Sequence, residues 1–66
     1  MKVTINGETR TMPESCSIKV MLDEMELGQA ACAVEVNEEL ITKGRHAQCI
    51  LSEGDAIEIV TLVGGG

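Results

Sequence analysis

Apolar and polar positions alternate from the start of the chain. Lys2-Val3-Thr4-Ile5 places Val3 and Ile5 on one face, the period-two pattern of a strand with one buried side. Asn6-Gly7 follows, the residue pair best suited to a tight type I′ hairpin turn, because both central positions of that turn need a positive φ. Residues Glu8 to Met12 are therefore expected to return as a second strand, ended by Pro13, which has no N–H to give to a ladder. At Ser17 the period changes. Ile18, Met21, Leu22 and Met25 recur at i, i+3, i+4 and i+7, which predicts a helix with one apolar face, an N-cap at Ser17 and a closing glycine at Leu27-Gly28. Met21 and Met25 at this spacing are core filler and not a soft metal site.

The pattern then reverts to strands. Cys32 to Val36 reads as a third strand, Asn37-Glu38 as a turn and Leu40-Ile41 as a short return. Thr42 to Gln48 reads as a loop with a short helical turn. Cys49-Ile50-Leu51 is a brief apolar stretch, and Ser52-Glu53-Gly54-Asp55 marks a sharp turn. Ala56 to Val63 is the most strand-like segment, with Ile57 and Ile59 on one face and Glu58, Val60 and Leu62 on the other. With Ile57 and Ile59 toward the helix, Val60 and Leu62 remain on the open face as anchors for a partner. The order of elements predicts an α+β domain of two layers, a sheet and one main helix. The pattern leaves open how the last strand pairs.

At 66 residues, with neither a repeat nor a linker, residues 1–66 are expected to form one domain, with residues 64–66 a flexible glycine tail. Phe, Tyr and Trp are all absent, so the core must come from Val, Ile, Leu, Met and Ala, and no side chain offers a stacking platform for bases. The formal charge of -6 repels phosphate backbones and anionic lipid and favours a partner with a basic surface. Nucleic acid and membrane are not expected partners. With neither a signal peptide pattern nor an apolar run long enough to span a bilayer, a cytoplasmic protein, monomeric when free, is expected.

Cys16, Cys32 and Cys49 are odd in number and lack C-x-x-C spacing, which argues against a disulfide framework or a zinc knuckle. Cys32 and Cys49 lie in apolar segments and are expected in the core; Cys16, between Ser15 and Ser17, is expected to be exposed. His46 has no second His or acid–base partner and is expected on the surface. With one His, no Walker-type phosphate loop and no aspartate cluster, a catalytic constellation is not expected, and neither is a bound metal or cofactor.

The chemistry then falls to the end of the sequence. Gly64-Gly65-Gly66 follows the last strand directly, with no linker between them, and is expected to be the reactive end of the protein and not an ordinary frayed tail. Glycine backbone enters narrow clefts and adopts conformations closed to other residues. A terminal carboxylate resists nucleophilic attack because of its charge and its poor leaving group. Adenylation removes both obstacles, and a sulfur nucleophile then displaces AMP to leave, after any needed reduction, a thiocarboxylate.

The Asn6-Gly7 hairpin, the Ser17-capped helix with Leu22, the Val34 to Glu39 segment, the stretch Glu53-Gly54-Asp55-Ala56-Ile57-Glu58-Ile59 and the Gly-Gly end together resemble the ThiS family of sulfur carriers over essentially the whole chain. The turn, last strand and Gly-Gly end are the most specific part, and are shared with MoaD and other ubiquitin-like carriers. The resemblance implies a β-grasp fold, a mixed sheet of four to five strands with the last strand parallel to the first in mid-sheet. It implies a protein cosubstrate and not an enzyme: a ThiF-type adenylyltransferase would activate Gly66, preceded by Gly65, with ATP and Mg. A cysteine desulfurase or other donor would supply sulfur, and the thiocarboxylate would serve the thiazole synthase ThiG in making the thiamin thiazole. Val60, Leu62, Val63 and Gly64 are the expected docking residues. Gly64 departs from many members, which carry another residue before the final pair; were Gly66 an addition, the reactive residue would be Gly65. The competing roles are a MoaD-like carrier for molybdopterin and a ubiquitin-like protein modifier.

Overall fold

A computed structural model describes residues 1–62 and contains five strands and one α-helix among them. These are β1 (Lys2–Ile5), β2 (Glu8–Thr11), α1 (Ile18–Glu24), β3 (Cys32–Val36), β4 (Glu39–Ile41) and β5 (Ala56–Thr61), with a single 3-10 turn at Lys43–Arg45. Both hairpins fold where the turn chemistry places them. Asn6 and Gly7 take φ of 51° and 85°, and Asn37 and Glu38 take 51° and 71°. Glu38 occupies a position that favours glycine, so the pairing of β3 with β4 holds a residue that the turn by itself would not select.

The strand order is β2-β1-β5-β3-β4. The outer pairings are antiparallel hairpins, β5 runs antiparallel to β3, and β5 runs parallel to β1. The last strand therefore occupies the middle of a mixed sheet, the β-grasp arrangement. The helix covers one face: Ile18, Met21 and Leu22 are buried with Val3, Ile5, Val34, Ile57 and Ile59 in one apolar cluster. A helix of seven residues is too short to persist alone, so this packing is what holds it. Its start follows the sequence: Ser17 is the N-cap and its hydroxyl accepts the Val20 N–H at 3.1 Å.

Its end does not. The left-handed residue is Glu26, with φ 62°, and not Gly28. The Glu26 N–H donates to the Asp23 carbonyl at 3.0 Å and the Leu27 N–H to the Leu22 carbonyl at 2.7 Å. These are the two bonds of a Schellman closure, completed by Leu27 packing on the core. Packing of the partly buried Leu27 against the core fixes where the helix stops, and Gly28 comes two residues too late. Gly28 instead passes close under the Asp23 side chain, which a Cβ at that position would strike.

Candidate functional site

β5 leads toward the terminal glycines, and its alternation sorts its side chains cleanly. Ile57 and Ile59 are buried against the helix side, while Val60 and Leu62 are 60% and 55% exposed. The strand is held on both flanks. Thr4 and Ile5 of β1 pair with Ala56 and Ile57, and Cys32 to Val36 of β3 pair with Thr61 to Ile57. Beyond the last paired residue, the Leu62 N–H donates to the Ala31 carbonyl at 2.8 Å, so the chain is guided up to Leu62. Val63, Gly64, Gly65 and Gly66, expected in docking and in the chemistry, lie outside the described residues.

The register adds neighbours that the linear sequence does not show. Ala33 stands opposite Val60, Glu35 opposite Glu58, and Leu40 of β4 opposite Glu35. The open face therefore presents an apolar strip near the exit of β5, with Leu40 exposed to one side and two glutamates in the next row. Ala33, Glu35 and Leu40 come from strands distant in sequence, and only strand pairing joins them to Val60 and Leu62.

Two expectations are corrected. Cys16 is not exposed: it is 2% accessible, its Sγ donates to the Ser17 carbonyl at 3.3 Å, and burial, with the charge of Glu24 second, pushes its thiol pKa up. The loop from Met12 to Ser17 folds inward because the Cys16 carbonyl accepts the Leu51 N–H at 2.8 Å and Ser17 bridges Ile50. Cys32 and Cys49 are half-buried and pack against the core. His46 is not a surface residue either. It is 7% exposed, and its Nε2 lies 3.1 Å from the Ile41 carbonyl, so that nitrogen carries the proton and donates. The His46 carbonyl accepts the Lys19 N–H at 3.0 Å, which makes the residue a tie between β4, the following loop and α1.

A cavity of about 290 Å³ opens between α1 and this loop, with Leu22, Cys32 and Ala47 among its walls and Lys19 and Lys43 beside them. Among the described residues, no group of three or more His, Cys, Asp or Glu side chains is placed to hold a metal ion. No helix among them is long and apolar enough to cross a membrane.

The family comparison decides the identity: the model of the ThiS family matches residues 3–66. The chain belongs to the ThiS family. It is 36% identical to the sulfur carrier protein ThiS of Thermus thermophilus, over 97% of this chain and 98% of that one. The crystal structure of a thiamine biosynthesis protein (ThiS) from Geobacter metallireducens superposes with a TM-score of 0.84 at 30% identity, covering all of both chains. The chain is also 39% identical, over its full length, to a thiazole synthase of Paramagnetospirillum magneticum, of which it spans only 20%. The chain thus matches both a protein of about its own length and a stretch of a much longer one.

Proposed function

We propose that this ThiS-family domain carries sulfur for the synthesis of the thiamin thiazole, with Gly66 as the residue that bears it. The observation that carries the reading is the ThiS match running through the last strand into the Gly-Gly end. The likeness to a thiazole synthase favours thiazole over molybdopterin as the destination.

In this reading a ThiF-type adenylyltransferase, using ATP and Mg, joins the Gly66 carboxylate to AMP and releases pyrophosphate. A persulfide sulfur from a cysteine desulfurase or another donor attacks the acyl carbon and AMP leaves, giving an acyl disulfide. A thiol then attacks the donor's sulfur of that S–S bond, releasing the thiocarboxylate and leaving a disulfide between the thiol and the donor; sulfide attacking the acyl-adenylate directly gives the same product without that reduction. The thiocarboxylate passes its sulfur to a ThiG-type thiazole synthase. The domain itself is a cosubstrate. Gly65 and Gly64 present the acyl group without a Cβ to obstruct a narrow active-site cleft, and Val60 and Leu62, with Val63, dock the activating partner.

Intact mass tests this. The starting mass should match a chain ending in a free Gly66 carboxylate. Incubation with a ThiF-type enzyme, ATP, Mg and a sulfur donor should add the mass of sulfur minus oxygen. Removal of Gly65 and Gly66 should abolish the gain and leave the domain folded. Isopeptide adducts on lysine in place of the sulfur gain would favour the protein-modifier role.

A further inference from the structure

The open face of the sheet holds a like-charge pair with no counterion among the described residues. Register places Glu35 of β3 directly opposite Glu58 of β5, both exposed. Residues so opposed have Cβ atoms about 4.5–5.5 Å apart, and like charges there are destabilising. The ion pairs among the described residues join the Met1 ammonium to Glu14 and Lys19 to Asp23, and neither involves this pair. β3 and β5 are interior strands, so these charges do not guard an open sheet edge, where glutamate and lysine are ordinarily useful. They lie one row from the Ala33–Val60 pair and beside Leu40.

We propose that the activating partner seats a cationic side chain, an arginine guanidinium, between Glu35 and Glu58, while Val60, Leu62 and Leu40 pack on an apolar surface around it. This rests on the reading of the domain as a substrate for adenylation. A guanidinium suits the place because its planar fork bridges two carboxylates and is more weakly hydrated than an ammonium. Two carboxylates with no third ligand among the described residues suit a guanidinium better than a metal ion. The flanking apolar side chains exclude water on docking, which strengthens the charge interaction, and the overall charge of -6 steers the domain toward a basic surface.

The test measures steady-state adenylation of the whole chain by a ThiF-type enzyme, with this protein as the varied substrate, at low and high salt. Glu35→Gln/Glu58→Gln should raise KM about tenfold at low salt, converge with the unchanged protein at high salt, and melt no lower, because a repulsion has been removed. Glu8→Gln/Glu24→Gln changes net charge equally at sites away from this row and should move KM far less. An unchanged KM and salt dependence in the Glu35/Glu58 variant, or equal effects of the two pairs, would overturn the proposal while leaving adenylation itself intact. If the unchanged protein is not adenylated at all, the underlying reading fails and this inference falls with it.

Discussion

The side-chain amide of Asn6 closes two hydrogen bonds on the backbone of Ile59, its Nδ2 donating to the carbonyl at 3.1 Å and its Oδ1 accepting the N–H at 2.8 Å. The Asn6 backbone N–H also donates to the Ile57 carbonyl at 2.9 Å, so a turn residue extends the β1–β5 ladder beyond the end of β1. Asn6 both makes the hairpin turn and clamps the strand that leads to the glycines.

Replacing Asn6 with Gly should remove the clamp but keep the turn, lowering unfolding free energy by about 1–3 kcal/mol. Asn6→Ala should cost more. At φ 51° a side chain other than Asn or Gly meets a left-handed penalty of about 1–2 kcal/mol, against about 0.5–1 kcal/mol of extra backbone entropy for glycine. Urea titrations of the three proteins should order them Asn, Gly, Ala.

His46→Ala should leave the Ile41 carbonyl without its donor and cost about 1–3 kcal/mol. A specific readout accompanies the loss. The Lys19 and Ile18 amides, which donate to the carbonyls of His46 and Cys49, should exchange hydrogen faster, while the β1–β2 hairpin keeps its protection. Unchanged exchange at Lys19 would show that the ring does not anchor the loop.

Cys16 should react with thiol reagents more slowly than Cys32 or Cys49, since it is buried and its thiol pKa is raised. The neutral thiol is the form that the fold favours. Its contribution is full below the unfolded thiol pKa and is lost as pH rises through the higher folded value. Thermal melts from neutral to alkaline pH should therefore decline less steeply in Cys16→Ala, although that variant starts lower because it leaves a small void. A variant lacking all three cysteines should, if folded, still gain sulfur; loss of the gain there, with retention in the glycine-deleted chain, would point to a persulfide mechanism.

Leu62→Asp should leave the melting temperature within about 4 °C of the parent, because Leu62 is more than half exposed and surface changes of this kind stay within about 0.5 kcal/mol. Adenylation should weaken through KM more than kcat, since an aspartate on the docking strip impairs association and not the reacting group. Unchanged turnover would remove Leu62 from the interface.

Local chemistry made much of this fold legible. Asn6-Gly7, Asn37-Glu38, the Ser17 cap and the alternation of Ile57 and Ile59 each act within a few residues, and each appears where the sequence puts it. Helix termination, Cys16 and His46 depart from the local pattern for one shared reason. Each is decided by partners far away or by burial: Leu27 by the core, Cys16 by Leu51, and His46 by Ile41 and Lys19.

The sequence by itself determined the family and the end at which its sulfur chemistry is proposed, because both are written as contiguous residue types that no folding is needed to read. Tertiary structure decided the rest. Placing β5 between β1 and β3 brings Ala33, Glu35 and Leu40 alongside Val60 and Glu58, and lets Asn6 grip Ile59 from 53 positions away. Period-two alternation specifies which face a side chain takes but not which strand lies beside it. That choice comes from the joint burial of one apolar face of β1, β3, β4 and β5 against a single short helix.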